Sequence, residues 1–286
     1  MNKNKQWTED ISPSPRILKM LGKIPLKHWQ CLAELIDNSI DALLSAEKKN
    51  HNWIAEELEL DYYPIQITLP NELQLAEGVG RITIEDLGPG MNLKQLLDAV
   101  KAGFSSNNAV DSLGLFGMGF NIATAKMGNV TTVRTTQRDD ETWTCLRIDF
   151  DKMIQDRGFS APVWTEDKEY PEQHGTVIEV SSLNQTVCKY FTNPSGKGII
   201  RKTLGKIYGN IIEDRKVRIR IGENLEIFPK KHCVWSKSRK VVKGDGTIPA
   251  IINVDETLPR QAFCGGCWEW SSIPDAGIGA CPYCGN

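Results

Sequence analysis

Glu34, Asn38 and Asp41 stand at i, i+4 and i+7 within Cys31-Leu-Ala-Glu-Leu-Ile-Asp-Asn-Ser-Ile-Asp-Ala42. On a helix their side chains share one stripe. A carboxylate one turn before an amide suits two linked tasks. The carboxylate can orient or deprotonate a water, and the amide oxygen can ligate a hard cation such as Mg²⁺. Leu32, Leu35, Ile36, Ile40, Leu43 and Leu44 recur at helical spacing and bury the neighbouring face. A helix whose polar residues merely face solvent would show the same pattern. The stretch therefore draws its meaning from the rest of the chain.

Three further clusters lie downstream. In Glu85-Asp86-Leu-Gly88-Pro-Gly90-Met91-Asn92 a strand-like run ends in an aspartate and two glycines. Asp86 is placed to accept a hydrogen bond from an exocyclic amine, and Gly88 and Gly90 allow a tight turn. Alone, this is an ordinary turn with an N-cap. Next, Gly114-Leu115-Phe116-Gly117-Met118-Gly119-Phe120 leads into a helix. Glycines there expose backbone N–H groups to phosphate oxygens, and the helix N-terminus adds a favourable dipole. A Walker A loop needs Gly-Lys-Ser/Thr, and the protein-kinase motif set has its own signatures; neither is present. Last, His174-Gly175-Thr176 opens an apolar strand.

The order Glu-x-x-x-Asn, Asp-x-Gly-x-Gly, Gly-x-x-Gly-x-Gly, Gly-Thr resembles the GHKL ATPase superfamily of gyrase B, heat-shock chaperones, histidine kinases and MutL. The likeness runs over residues 10–185, with all four boxes in order. It implies an α+β protein with the Bergerat α/β sandwich, helices packed on one face of a mixed sheet. It implies ATP as ligand, with Asp86 on adenine, Thr176 holding a water nearby, and Met91 packed on the ring. Gly88 and Gly90 would turn against the base. Asn38 would be the single protein ligand of a Mg²⁺ bridging the phosphates, and Asp41 and Lys101 would belong to the nucleotide site. Gly114 through Phe120 would cradle the phosphates, and the loop from Lys101 to Leu113 would close over them as a lid. Glu34 would be the general base for hydrolysis. Histidine kinases of the superfamily usually lack that glutamate, so hydrolysis is favoured over kinase activity.

Ala102-Gly-Phe-Ser-Ser-Asn-Asn with Leu113 to Phe120 looks like the microrchidia branch. Cys264-Gly-Gly-Cys267-Trp-Glu-Trp270 is similar to the opening of a CW-type zinc finger, although Cys281-Pro-Tyr-Cys284 reads equally as a plain zinc-ribbon knuckle. Cys264, Cys267, Cys281 and Cys284 form two CxxC pairs separated by 13 residues, which is zinc-site spacing. The other four cysteines, Cys31, Cys145, Cys188 and Cys233, are scattered singly, as in reduced proteins.

The 286 residues suffice for one large or two ordinary domains. A hydrophobic content of 40% with 24% charge is that of a soluble globular chain. A net charge of −2 gives no overall basic signature. No apolar run reaches the roughly 20 residues of a membrane span. The start, Met-Asn-Lys-Asn-Lys-Gln-Trp, lacks the apolar core of a signal peptide, so a cytoplasmic protein is expected.

The expected organisation is an arm over 1–16, the ATP-binding domain over 17–190, a partial transducer-like domain over 191–259 and a zinc knuckle over 260–286. Helices are expected over Arg16–Leu21, Leu26–Ser45 with a charged continuation to 60, Leu93–Val100, Phe120–Lys126 and 198–213. Strands are expected over 64–69, 81–86, 130–137, 143–150 and 176–181, with a hairpin-like connection over Asn71–Gly80. Val217–Ile221 and Leu225–Phe228 read as strands opening the second domain.

In the superfamily the transducer lends a lysine to the terminal phosphate. Lys206, Lys230, Lys231, Lys237 and Lys240 are candidates that no spacing separates. The resulting expectation is slow ATP hydrolysis, with the nucleotide controlling lid closure and homodimerisation, and DNA or a protein as client. Lys197, Arg201, Lys202, Lys206, Arg215, Lys216, Arg218 and Arg220 lean towards DNA. The rival readings are a non-catalytic, nucleotide-gated interaction module and a heat-shock-type chaperone.

Overall fold

The computed structural model describes residues 13–48, 63–101, 118–214, 217–223, 225–230, 238–252, 261–272 and 280–285. The chain divides into two compact units, residues 1–232 and 233–286.

The first unit opens with α1 (Arg16–Leu21) and the long α2 (His28–Lys48), followed by β1 (Tyr63–Thr68). Then come α3 (Glu72–Ala76), β2 (Ile82–Asp86), α4 (Leu93–Val100) and α5 (Gly119–Met127). Next are β3 (Gly128–Thr136), β4 (Thr142–Asp149), α6 (Phe150–Asp156), β5 (Val163–Asp167) and β6 (Gly175–Leu183). The unit finishes with α7 (Gln185–Thr192), α8 (Pro194–Ile207), α9 (Gly209–Asp214), β7 (Val217–Ile221) and β8 (Leu225–Glu226).

The strands make one eight-stranded mixed sheet in the order β5-β4-β3-β6-β2-β1-β7-β8. The β1–β7 pair is parallel and its other neighbours are antiparallel. Period-2 alternation gives the sheet a helix-facing side. Ile65, Ile67, Ile82, Ile84, Ile178, Val180 and Ile219 are buried in the same core cluster as Leu32, Leu35, Ile36 and Ile40 of α2. Removing each such side chain from water is worth about 1.5–3 kcal/mol, so this seam is what fixes α2 in place. Register carries the other side across the strands: Arg134 of β3 sits opposite Val177, Val177 opposite Glu85, Glu85 opposite Gln66, and Gln66 opposite Arg220. Apart from Val177 that row is charged and polar, as expected of a face that α2 does not cover.

Several expectations shift. Asn71–Gly80 joins β1 to its antiparallel neighbour β2, the hairpin-like connection expected, but it holds a short helix as well. Asn71 accepts from the Gln74 N–H and Gln74 Oε1 accepts from the Asn71 N–H, a capping box that nucleates α3. Val217–Ile221 pairs in register with β1, so β7 and β8 extend the same sheet and belong to the first unit. The alternation of Val217-Arg-Ile-Arg-Ile announces a strand but not its partner, which lies about 150 residues earlier. The helix expected over 198–213 is two, broken at Tyr208. The continuation of α2 beyond Lys48 and the arm before Pro13 lie outside the described residues.

In the second unit, β9 (Lys240–Lys243) and β10 (Gly246–Pro249) form a hairpin, and β11 (Gln261–Phe263) pairs with β12 (Trp270–Ser272). Among the described residues, no helix is long and apolar enough to cross a membrane.

Candidate functional site

Asp86 ends β2 almost wholly buried, and both of its oxygens are tied down. Oδ1 accepts from the Gly88 N–H at 2.9 Å, and Oδ2 accepts from Ser39 Oγ at 2.8 Å. Ser39 is buried on α2, so the helix that carries Glu34 also orients Asp86. Thr176 on β6 is the direct cross-strand partner of Asp86, and Thr135 on β3 is the partner of Thr176.

Thr135 Oγ1 donates to the Gly175 carbonyl at 3.0 Å and accepts from the Met91 N–H at 2.9 Å. With that single hydroxyl proton spent, the 3.1 Å contact between the two threonines is donated by Thr176. Thr176 keeps its lone pairs for something further. His174, buried, holds Gly88: the carbonyl can only accept, so Nδ1 carries a proton in this 2.8 Å bond. Gly90 adopts φ 69°, and a methyl group there would run into the Thr136 carbonyl. Only glycine fits that approach.

The other end of the site is where α5 starts. Gly119, its first residue, lies so close to Glu34 that a methyl group on it would overlap Oε2. The Glu34 carboxylate therefore stands against the backbone at a helix N-terminus, half-buried, and that burial raises its pKa. Within the first turn of α5, Asn121 is buried and its Nδ2 donor has no partner among the described residues.

Asn38 lies one turn beyond Glu34 and is exposed, while Asp41 is half-buried. Met91 is half-buried against the core. Lys101 closes α4 and pairs with Asp98 at 3.0 Å. Met118, Gly119 and Phe120 are described and half-buried. Gly114, Leu115, Phe116 and Gly117, with the loop from Ala102 to Leu113, lie outside the described residues.

The structure thus joins Glu34 to Gly119, and Asp86 to Thr176, through one helix and three adjacent strands. Sequence reasoning passed over Ser39 and Thr135 as site residues, and left His174 as a mere neighbour of Gly175. A serine inside an amphipathic helix and a threonine inside a strand carry no signal of their own. Only the register shows them.

Acceptors at Asp86 and Thr176 suit a ligand with an amine and a bound water. Backbone N–H groups at a helix start, glycines whose Cβ would close the space, and an orphan amide donor suit an anion. An adenine nucleotide has both ends, and these residues fit it.

The second unit holds a separate cluster. Among the described residues, Cys264, Cys267, Cys281 and Cys284 bring four sulfurs within 4.8 Å of one another. Cys264 and Cys284 are 3.6 Å apart, as are Cys267 and Cys281. Zn–S bonds of about 2.3 Å in a tetrahedron require sulfur separations near 3.8 Å. The N–H groups of Cys267 and Gly266 pull the Cys264 thiol down to about 6, so one ligand is already disposed to be a thiolate. Desolvation, with Cys281 alongside, pushes Cys267 up to about 12. The donor set and spacing fit zinc.

A search of curated proteins found no match. A family model described as histidine kinase-, DNA gyrase B- and HSP90-like ATPase matches residues 26–176, from the start of α2 to Thr176. That span holds all four boxes and more than half of the chain, so the protein belongs to this ATP-binding family.

Proposed function

We propose that the first unit binds Mg²⁺-ATP and hydrolyses it slowly, with Glu34 as the general base. The observation that carries this is the shared helix. Five residues, about 7.5 Å of helix axis, separate Glu34 at the start of α5 from Ser39 at the Asp86 carboxylate. One rigid element thereby sets both ends of a nucleotide relative to each other.

In this reading Asp86 accepts from the adenine amine, and Thr176, fixed by Thr135, holds a water beside it. Met91 lies along the ring, and Gly88 and Gly90 let the backbone approach. The N–H groups from Gly114 to Phe120 receive the phosphates. Asn38 is exposed towards the solvent side of α2, where its amide oxygen would ligate Mg²⁺, with Asp41 and Lys101 nearby in the family pattern. When bound, the cation neutralises phosphate charge. Glu34, its carboxylate raised by burial, then takes a proton from the attacking water.

Nucleotide-driven closure of the 101–113 loop, homodimerisation and a DNA or protein client complete the proposal, in the cytoplasm. The cysteine cluster is proposed as a structural zinc site.

Steady-state ATP turnover tests the chemistry. Glu34→Ala is expected to bind ATP but to hydrolyse it at least ~10²-fold more slowly, the scale of a lost general base. Turnover at the wild-type rate would leave Glu34 a structural residue of α2, and the fold a nucleotide-gated binding module.

A further inference from the structure

Tyr208 sits at the corner between α8 and α9, 1% exposed, and its hydroxyl reaches two points on α2. Oη lies 2.6 Å from Asp37 Oδ1 and 3.1 Å from the Ala33 carbonyl. Ala33 immediately precedes Glu34, and Asp37 lies three residues beyond it. The tyrosine therefore grips the helix on both sides of Glu34, once through the backbone and once through a side chain. Glu34's charge acts on both Asp37 and Tyr208, which places its carboxylate within the field of the pair.

One hydroxyl proton cannot fully serve two acceptors. The short bond to an ionised Asp37 takes it and leaves Ala33 only a share. A protonated Asp37 instead donates to Oη and frees the tyrosine proton for the Ala33 carbonyl. Both arrangements keep the clamp closed, so it holds whichever protonation state prevails. The partner of Asp37 comes from about 170 residues downstream, in the part of the chain beyond the family match.

We infer that Tyr208 is a positioning residue for Glu34, fixing the turn of α2 that carries the base through its hydrogen bonds to Asp37 and Ala33. This rests on Glu34 acting as the base. The ring of Tyr208 belongs to the hydrophobic core, while the hydroxyl alone makes the two bonds. Tyr208→Phe removes the bonds and keeps the packing.

In the full chain, Tyr208→Phe is expected to lower kcat about tenfold, in line with the cost of a small misplacement of a reacting group. The ATP Kd should stay within about twofold, because Asp86 and the glycines are untouched. In Glu34→Ala/Tyr208→Phe the second substitution should cost nothing further, since there is no base left to misplace. Carbon-detected titration of the carboxyl groups supplies a readout that needs no turnover. The Glu34 signal should move in Tyr208→Phe, because the turn of α2 that carries it loses both bonds.

Wild-type kcat in Tyr208→Phe, or a loss that adds in full to that of Glu34→Ala, overturns the inference. So does a Glu34 carboxyl signal unchanged by Tyr208→Phe, whatever the turnover of the wild type. Wild-type turnover in Glu34→Ala sinks the base assignment instead. A moved Glu34 signal in that case shows the clamp acting on a carboxylate that is not the base.

Discussion

Asp86 and Thr176 are direct cross-strand partners on the β2–β6 ladder, and Thr135 extends the row onto β3. Three polar residues from three strands thus stand side by side at the helix-facing surface of the sheet. Ser39 reaches down from α2 to the first of them, and the Met91 N–H donates to the last. A buried polar group without partners costs about 1–3 kcal/mol. The protein's own bonds fix how the oxygens of this row are aimed, which is the preorganisation a binding surface needs.

Asp86→Asn should weaken ATP binding by about 2 kcal/mol or more. The amide cannot reproduce a charge-assisted bond to the adenine amine, and its NH₂ would face the Ser39 hydroxyl or the Gly88 N–H. Calorimetric titration with ATP measures this directly. Equal affinity in wild type and variant would remove Asp86 from the adenine site.

Much of this arrangement was legible in the residues because three of the four boxes lie at element ends. Asn92 capping α4 and Gly119 opening α5 fall where local chemistry dictates, and local chemistry is readable from neighbours in the chain. The register was not readable. Thr135 is one of several threonines in Val130-Thr-Thr-Val-Arg-Thr-Thr136, and only pairing with β6 singles it out. The same limit explains β7: its alternation is plain, but parallel pairing to β1 is a non-local event with no local mark. Tyr208 was concealed inside a continuous helical pattern that in fact turns a corner there.

Asp37 gives a pH prediction. Burial first, then the charges of Glu34 and Asp41, push it up to about 6 against the hydrogen bond from Tyr208. The unfolded chain has an ordinary aspartate near 3.9. A raised acid binds its proton more tightly in the folded state, so this group's contribution is most favourable at low pH. It declines as pH rises from about 4 to about 6 and stays at its deficit above that. Asp37→Asn is neutral at every pH, and its NH₂ can donate to Tyr208 Oη while the tyrosine donates to Ala33. The Tm advantage of Asp37→Asn over wild type should therefore grow between pH 4.5 and pH 7.5. The same Tm difference at both values would show that Asp37 is not raised.

The last prediction concerns the four cysteines. A CxxC turn presents two sulfurs from one bend, and two such turns meet here with 3.6 Å between the paired sulfurs. Around them the second unit has little to hold it. Phe263 packs against Trp268 and Trp270, yet all three rings are exposed, and β11 and β12 contribute only three residues each. Two three-residue strands do not fold alone in water. A structural zinc bound by four thiolates supplies about 10–16 kcal/mol in small zinc-dependent folds, enough to organise such a segment. We therefore expect one Zn²⁺ per chain in protein purified without added metal, by elemental analysis. A strong chelator should release it and shift the fluorescence of Trp268 and Trp270, with hydrogen exchange accelerating over 261–272 and 280–285. Binding of ATP should remain within about twofold, because the residues proposed to hold it all belong to the first unit. Zinc content near zero, with all four thiols titratable, would refute the site. Loss of ATP binding on chelation would refute the independence of the two units.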